Sequence, residues 1–196
     1  MTTRDEQRLS TRTAVLRTAA EQFDARGYAA VTLSGIAGRL GLTKGAIFFH
    51  FPTKADLAVA VVEEYVASWR TLREQLATEG LRGLEALRWL VEHVAELYRD
   101  DAGARAPLRL MQESEVIGVE LPTPFVAWHD EVRRHLQDAR ADGETRPDLP
   151  VDDVAWHVVA SFFGTQELSH HLTGRADLVR RALTSWELLL PALRPR

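Results

Sequence analysis

The chain has 196 residues, 45% of them hydrophobic and 27% charged, which suits one ordinary domain or a small module fused to a larger one. It contains no cysteine, so disulfide scaffolds, thiolate metal sites and cysteine nucleophiles are excluded. The net charge of −4 is unevenly divided: residues 1–54 hold eight Lys/Arg against four Asp/Glu, a net +4, and the remainder holds 16 against 24, a net −8. A basic segment on an acidic body suits a polyanion partner, because only the local field counts within a Debye length.

Helical periodicity organises the whole chain, and no strand pattern competes with it. Leu16, Ala19, Ala20 and Phe23 recur at helical spacing over residues 11–26, with Gly27 placed to end the helix. Thr32 is positioned to cap a second helix carrying Ile36, Ala37 and Leu40 and ending at Gly41, and Thr43 to cap a third that runs to about His50. Two short helices joined by a Gly-containing turn make a helix-turn-helix. Pro52 then breaks the chain, and Thr53, with Asp56 three residues on, caps a long fourth helix to about Ala77. Further helices are predicted over 81–99, 105–115, 124–142, 152–172 and 177–193, separated by Gly80, Asp100-Asp101, 118-GVELPTP-124, residues 143–150 and Gly174. The expectation is an all-α protein of nine helices, a small head followed by a helical body. The polar start MTTRDEQRLS lacks an apolar h-region and no stretch approaches about 18 uninterrupted apolar residues, so a soluble, cytoplasmic protein without membrane contact is expected.

The third helix ends in four consecutive rings, Phe48, Phe49, His50 and Phe51. So short a helix cannot bury all four in one core. Ile47 and Phe51 are expected to point inward with Ile36 and Leu40, which leaves Phe48 and Phe49 for thymine methyls and sugars. Lys44 is placed to reach phosphate or guanine, His50 and Lys54 to reach phosphates, and Gly45 to let the helix approach closely. A simple buried turn is the competing reading.

The segment 32-TLSGIAGRLGLTKGAIFFHFPTKADL-57 resembles the DNA-binding head of TetR-family transcriptional regulators: a Thr, Ile-Ala, a Gly turn, a Ser/Thr-x-Gly recognition helix, an aromatic-aromatic-His-Phe end and a Lys at the next helix start. The resemblance covers residues 11–57. It implies a TetR-like fold, with a three-helix DNA-binding head at residues 1–53 and a six-helix ligand-binding and dimerisation body at residues 54–196. The candidate DNA-contacting residues are Thr32, Ser34, Thr43, Lys44, Gly45, Phe48, Phe49, His50 and Lys54. The family's first aromatic is most often Tyr, so Phe48 forgoes a phenolic phosphate contact.

The resemblance also implies a homodimer whose last two helices form a four-helix interface, with the two heads reading half-sites of a palindromic operator. The terminal helices are apolar enough for that, with Val154, Trp156, Val158, Phe162, Phe163 and Leu168 on one and Leu178, Trp186, Leu189 and Leu190 on the other, although a broad core would use the same residues. The phrases 124-PFVAW-128, 143-GETRPD-148, 160-ASFFGTQELS-169 and 173-TGRADL-178 are similar to the γ-butyrolactone-receptor group of actinobacterial repressors. That resemblance implies a repressor released by a lactone, butenolide or furan signal controlling specialised metabolism such as antibiotic biosynthesis. Related pseudo-receptors answer to other metabolites, and gating by a protein partner is a further alternative. It places Trp128 in the effector pocket. Thr165 and Gln166 are the candidate polar groups, and Tyr65, Trp69, Trp89, Met111, Phe162 and Phe163 the candidate walls.

No enzyme signature and no cofactor motif competes with this reading. Glu167, His170 and His171 have helical i+3/i+4 spacing but no second ligand-bearing helix motif, so no metal site is expected. A Gly-x-Ser-x-Gly elbow, a phosphate-cradling Gly loop and a dinucleotide fingerprint are all missing from the sequence.

Overall fold

The computed structural model describes residues 4–195, and every regular element among them is a helix. The order is α1 (Arg4–Ala30), α2 (Leu33–Leu40), α3 (Lys44–His50), α4 (Lys54–Glu79), α5 (Gly83–Asp100), α6 (Ala102–Gln112), α7 (Ser114–Ile117), α8 (Pro124–Ala141), α9 (Val151–Thr173) and α10 (Leu178–Leu193). No single helix among the described residues is long and apolar enough to cross a membrane. By contact, the chain forms two compact units, 1–67 with 101–124 and 68–100 with 125–196.

In the first unit the core gathers Val15, Leu16, Ala19 and Phe23 of α1, Ile36 and Ala37 of α2, Ile47 of α3, Phe51, and Leu57, Ala58, Val61 and Val62 of α4. Local chemistry fixes each helix start. The Thr32 hydroxyl accepts from Gly35 N at 3.0 Å and the Thr43 hydroxyl from Ala46 N at 3.2 Å, each satisfying an orphan first-turn donor. At α4 the cap is reciprocal: Asp56 N donates to the Thr53 hydroxyl at 3.0 Å while Thr53 N donates to the Asp56 carboxylate at 2.9 Å. Gly41, at φ 65°, closes α2 in the left-handed region that a side chain would strain.

Three boundaries differ from the sequence reading. Helix α1 starts at Arg4 rather than near Thr11, because Arg, Glu, Gln and Leu sustain a helix by propensity even where no apolar face calls for one. Gly27 does not end α1 but kinks it, at φ 76° and ψ 167°, and the chain coils on to Ala30. Helix α6 spans 102–112 instead of 105–115; Asp101 caps it by accepting from Gly103 N at 2.7 Å, and the separate turn α7 makes a tenth element. Helix α6 is tied to α1 within this unit: Arg105 forks onto the Asp24 carboxylate at 2.9 and 2.7 Å, Arg109 donates to the Asp24 carbonyl, and Glu113 accepts from Tyr28 N at 2.8 Å.

The second unit packs α5, α8, α9 and α10 with the C-terminal half of α4. Leu87, Leu90, Val94 and Tyr98 of α5, Trp128 and Leu136 of α8, Phe162 of α9 and Trp186 of α10 are buried. Gly83 has φ 56°, and the Glu144 carboxylate fills the space where a Cβ would stand while accepting from Leu84 N at 2.8 Å at the start of α5. The α9–α10 turn is pinned by Asp177, which accepts from the Ser169 and Thr173 hydroxyls, both at 2.6 Å, and from Arg181 at 3.0 Å. Those donors, the Ser169 hydroxyl first, hold the Asp177 carboxyl well below the usual carboxylate range.

Candidate DNA-contacting surface and effector site

The third helix separates its rings as its periodicity requires. Ile47 and Phe51 are buried in the first unit's core, whereas Phe49 is 70% exposed and Phe48 38%. Cations lie against these rings: the Lys44 ammonium is 5.3 Å from the centroid of Phe48, the Arg8 guanidinium 5.2 Å from Phe49 and the Arg12 guanidinium 5.6 Å from Phe51. Gly45 has nothing closer than the Thr43 hydroxyl, 4.0 Å from where its Cβ would be. Packing inside the head therefore does not require glycine there. Thr32, Ser34, Thr43 and Lys44 are exposed and His50 half-buried.

Two candidates carry internal duties that their spacing did not reveal. Lys54 donates to the Tyr28 carbonyl at 2.9 Å and to the Ala29 carbonyl at 3.5 Å, and sits 4.1 Å from the Tyr28 ring centroid. It braces the chain where α1 ends beyond the Gly27 kink, adding a donor to the Tyr28 carbonyl that also accepts from Val31 N at 3.2 Å. The pKa of His50 is lowered by burial first and then by the positive fields of Arg8 and Arg12. Arg8 and Arg12 were not among the sequence candidates. Their four-residue spacing along α1 was the available signal.

In the second unit the rings form a cluster. Trp128 packs edge to face on Phe162 at 4.5 Å and on Phe163 at 5.2 Å, and lies 5.9 Å from Trp69 between centroids. Phe163 meets Phe125 at 4.6 Å, and Tyr98 meets Phe162 at 5.6 Å. The indole of Trp128 is 1% exposed, and its Nε1 has no protein hydrogen-bond acceptor among the described residues. A buried N–H without an acceptor costs about 1–3 kcal/mol, so its retention needs a reason.

One turn further along α8, Glu131 is buried. It accepts from Arg73 at 3.1 Å, from Arg134 in a short contact, and from His135 Nε2 at 3.2 Å. Burial alone would raise its pKa, but the His135 and Arg134 hydrogen bonds outweigh that and leave the carboxyl below its usual range.

The structure does not gather all nine effector candidates. Trp69, Trp128, Phe162 and Phe163 share the ring cluster, whereas Trp89 stacks on His93 with centroids 3.6 Å apart. The buried Gln166 amide donates to Glu167 at 3.2 Å and its carbonyl accepts from Arg175 at 3.5 Å, so its groups are already engaged, while Thr165 is half-buried on the same helix. Tyr65, buried, and Met111, half-buried, belong to the first unit. His171 pairs with Glu167 at 2.9 Å, and the described residues contain no group of three or more side chains able to hold a metal ion.

Residues 15–61 match the family described as bacterial regulatory proteins, tetR family, and residues 81–195 match the tetracyclin repressor-like C-terminal domain. The chain belongs to the TetR family. Its family is one of bacterial regulatory proteins, and its helical body behind an N-terminal helix-turn-helix is the TetR-like fold. This TetR-family chain is 33% identical over 179 residues to the A-factor receptor protein of Streptomyces griseus, which covers 91% of this chain and 62% of that one. It therefore spans less than two thirds of that relative's length. A solved structure described as the molecular basis for control of antibiotic production by bacterial hormones aligns with a TM-score of 0.89 at 40% identity, over 95% of this chain and 98% of that one. A solved γ-butyrolactone receptor, an ArpA-like protein, aligns with a TM-score of 0.80 at 35% identity, over 96% and 90%.

Proposed function

We propose that this regulator is a repressor that binds a palindromic operator as a homodimer and is released by a small γ-butyrolactone, butenolide or furan signal. Residues 1–53 act as the DNA-binding head, with Thr32, Ser34, Thr43, Lys44, Gly45, Phe48, Phe49 and His50 turned to DNA, and residues 54–196 bind the effector and the second subunit. The observation that carries the reading is the exposed end of α3: Phe48 and Phe49 outside the core with Lys44 and Arg8 against their faces, on a segment of net charge +4. Exposed rings supply contacts to thymine methyls and sugars, and the cations supply phosphate contacts. Lys54 steadies the head from within and has its remaining donor for the backbone.

Dimerisation through α9 and α10 is supported by how their apolar residues divide. Val158, Phe162, Leu178 and Trp186 are buried within the chain, but Trp156, Leu168 and Leu172 of α9 and Leu188 of α10 are each more than 60% exposed. Trp156, Gly164, Leu168 and Leu172 fall at four- and eight-residue steps on one face of α9, and a Cβ at Gly164 would meet nothing within 4 Å. A glycine mid-helix costs about 1 kcal/mol against alanine, and close approach by a second helix offsets that cost.

The effector reading rests on Trp128. Its buried, unpaired N–H inside a ring cluster is what an apolar-tailed ligand bearing a ring carbonyl would use, and the solved γ-butyrolactone receptor supports the chemical class. Effector and operator act on two shapes of the same chain, and the effector releases DNA only through its preference for one. The test is selection of a retarded duplex from a randomised pool, then titration of that complex with a γ-butyrolactone, a butenolide and a furan. Failure to retard any duplex overturns the DNA reading; release by none of the three overturns the effector reading.

A further inference from the structure

We propose that the first three turns of α1 are a second arm of the DNA-contacting surface, in which Arg8 and Arg12 bind backbone phosphates beside the recognition helix α3. The inference rests on the operator-binding reading above and adds residues and a segment to it. Helix α1 extends seven residues ahead of the predicted start at Thr11, about two turns, and residues 6–10 are exposed throughout. Propensity accounts for the helix there, and the head's core makes no use of its exposed residues.

Arg8 and Arg12 are one helical turn apart and meet the same end of α3. The Arg8 guanidinium rests 5.2 Å from the centroid of Phe49, the more exposed of the two outward rings, and Arg12 lies 5.6 Å from Phe51, the last ring of the run. A guanidinium stacked on a ring keeps its N–H donors at its edge, in the planar fork that suits a phosphate. The ring contact itself is worth only about 0.5–1 kcal/mol at an exposed site. Both guanidiniums also act on His50 between those rings, where their fields help lower its pKa. The positive potential of the head is thus concentrated at the outward end of α3, where a duplex laid against Phe49 would bring its backbone.

The experiment measures operator affinity between 50 and 200 mM salt on the duplex selected with the wild-type protein, for Arg8→Met, Arg12→Met, Arg8→Lys and, as a control on the body, Arg70→Gln. Each phosphate contact contributes about 0.9 to the slope of log affinity against log salt, and a dimer loses two with each substitution. Arg8→Met and Arg12→Met are each expected to lower the slope by about 1.8, so that affinity falls roughly tenfold less than wild type across that salt range. Arg8→Lys keeps the charge and is expected to keep the slope; Arg70→Gln is expected to change nothing. A role confined to shielding Phe49 makes the opposite prediction, with Arg8→Met at the wild-type slope and any loss of affinity equal at both salt concentrations. That result overturns the proposal while leaving operator binding intact. A wild-type protein that retards no duplex overturns both.

Discussion

The two compact units use the same kind of side chain in opposite ways. On α3 the rings of Phe48 and Phe49 stand outside the core with cations on their faces, whereas Trp128, Phe162 and Trp69 are buried with other rings as their neighbours. Burial of an aromatic ring contributes to folding; an exposed ring contributes only when something covers it. On the proposed reading, the head holds these rings in reserve for a partner. The body spends its rings on its own stability, and among the described residues the Trp128 N–H inside the ring cluster has no acceptor.

The sharpest way to break that contrast is to truncate one ring of each kind. Trp128→Ala should cost about 3–5 kcal/mol of stability and lower the melting temperature clearly. Phe49→Ala should move stability by no more than about 0.5 kcal/mol, yet weaken operator binding about tenfold. Thermal melts and gel retardation on both proteins decide it, and equal melting losses would erase the distinction between reserve and core.

Lys54 sits between the two uses. It should read first as a stabilising residue: Lys54→Met removes a hydrogen bond to the Tyr28 carbonyl and a cation from the Tyr28 ring, at about 1–2 kcal/mol by denaturant titration. A variant with wild-type stability and a reduced salt slope would return Lys54 to a role at phosphate alone.

A gentler change at the body's ring cluster isolates the N–H from the bulk. Trp128→Phe should fold and bind operator almost as wild type, while lactone-driven release needs about tenfold more effector, the worth of one hydrogen bond near 1.4 kcal/mol. Unchanged release would show that Trp128 serves the core only.

The smallest expected effect is the pH dependence of the head. In the free protein the His50 pKa lies below its ordinary value, and a phosphate beside it would raise that value in the complex. The group then takes up a proton on binding, so operator affinity should rise as pH falls between the two pKa values and level off below the lower one. His50→Gln should flatten the profile. A wild-type profile that is already flat from pH 8 to 6 would remove His50 from the phosphate contacts.

Most of the fold was legible in the sequence because helices declare themselves locally. The 3.6-residue recurrence of apolar positions, with Thr32, Thr43 and Thr53 as caps and Gly41 as a stop, depends on residues within four positions of one another. The same periodicity separated Ile47 and Phe51 from Phe48 and Phe49. It could not see the first turns of α1, where helix forms on propensity with no apolar stripe to mark it. It also read Gly27 as an end, although the ties of Arg109 on α6 and of Glu113 just past it, 82 and 86 residues further along, shape that corner.

Sequence by itself determined the helical class, the helix-turn-helix and its ring-bearing end, since each follows from short-range spacing and from residue types with fixed conformational preferences. Tertiary structure alone decided which long-range partners each side chain found. It turned Lys54 onto the carbonyls of residues 28 and 29 and brought Arg8 and Arg12 of α1 against the rings of α3. The physical reason is distance along the chain. A hydrogen bond or ring contact forms between whichever groups packing brings within a few ångströms, and most of those partners lie tens of residues away, where no periodicity reaches.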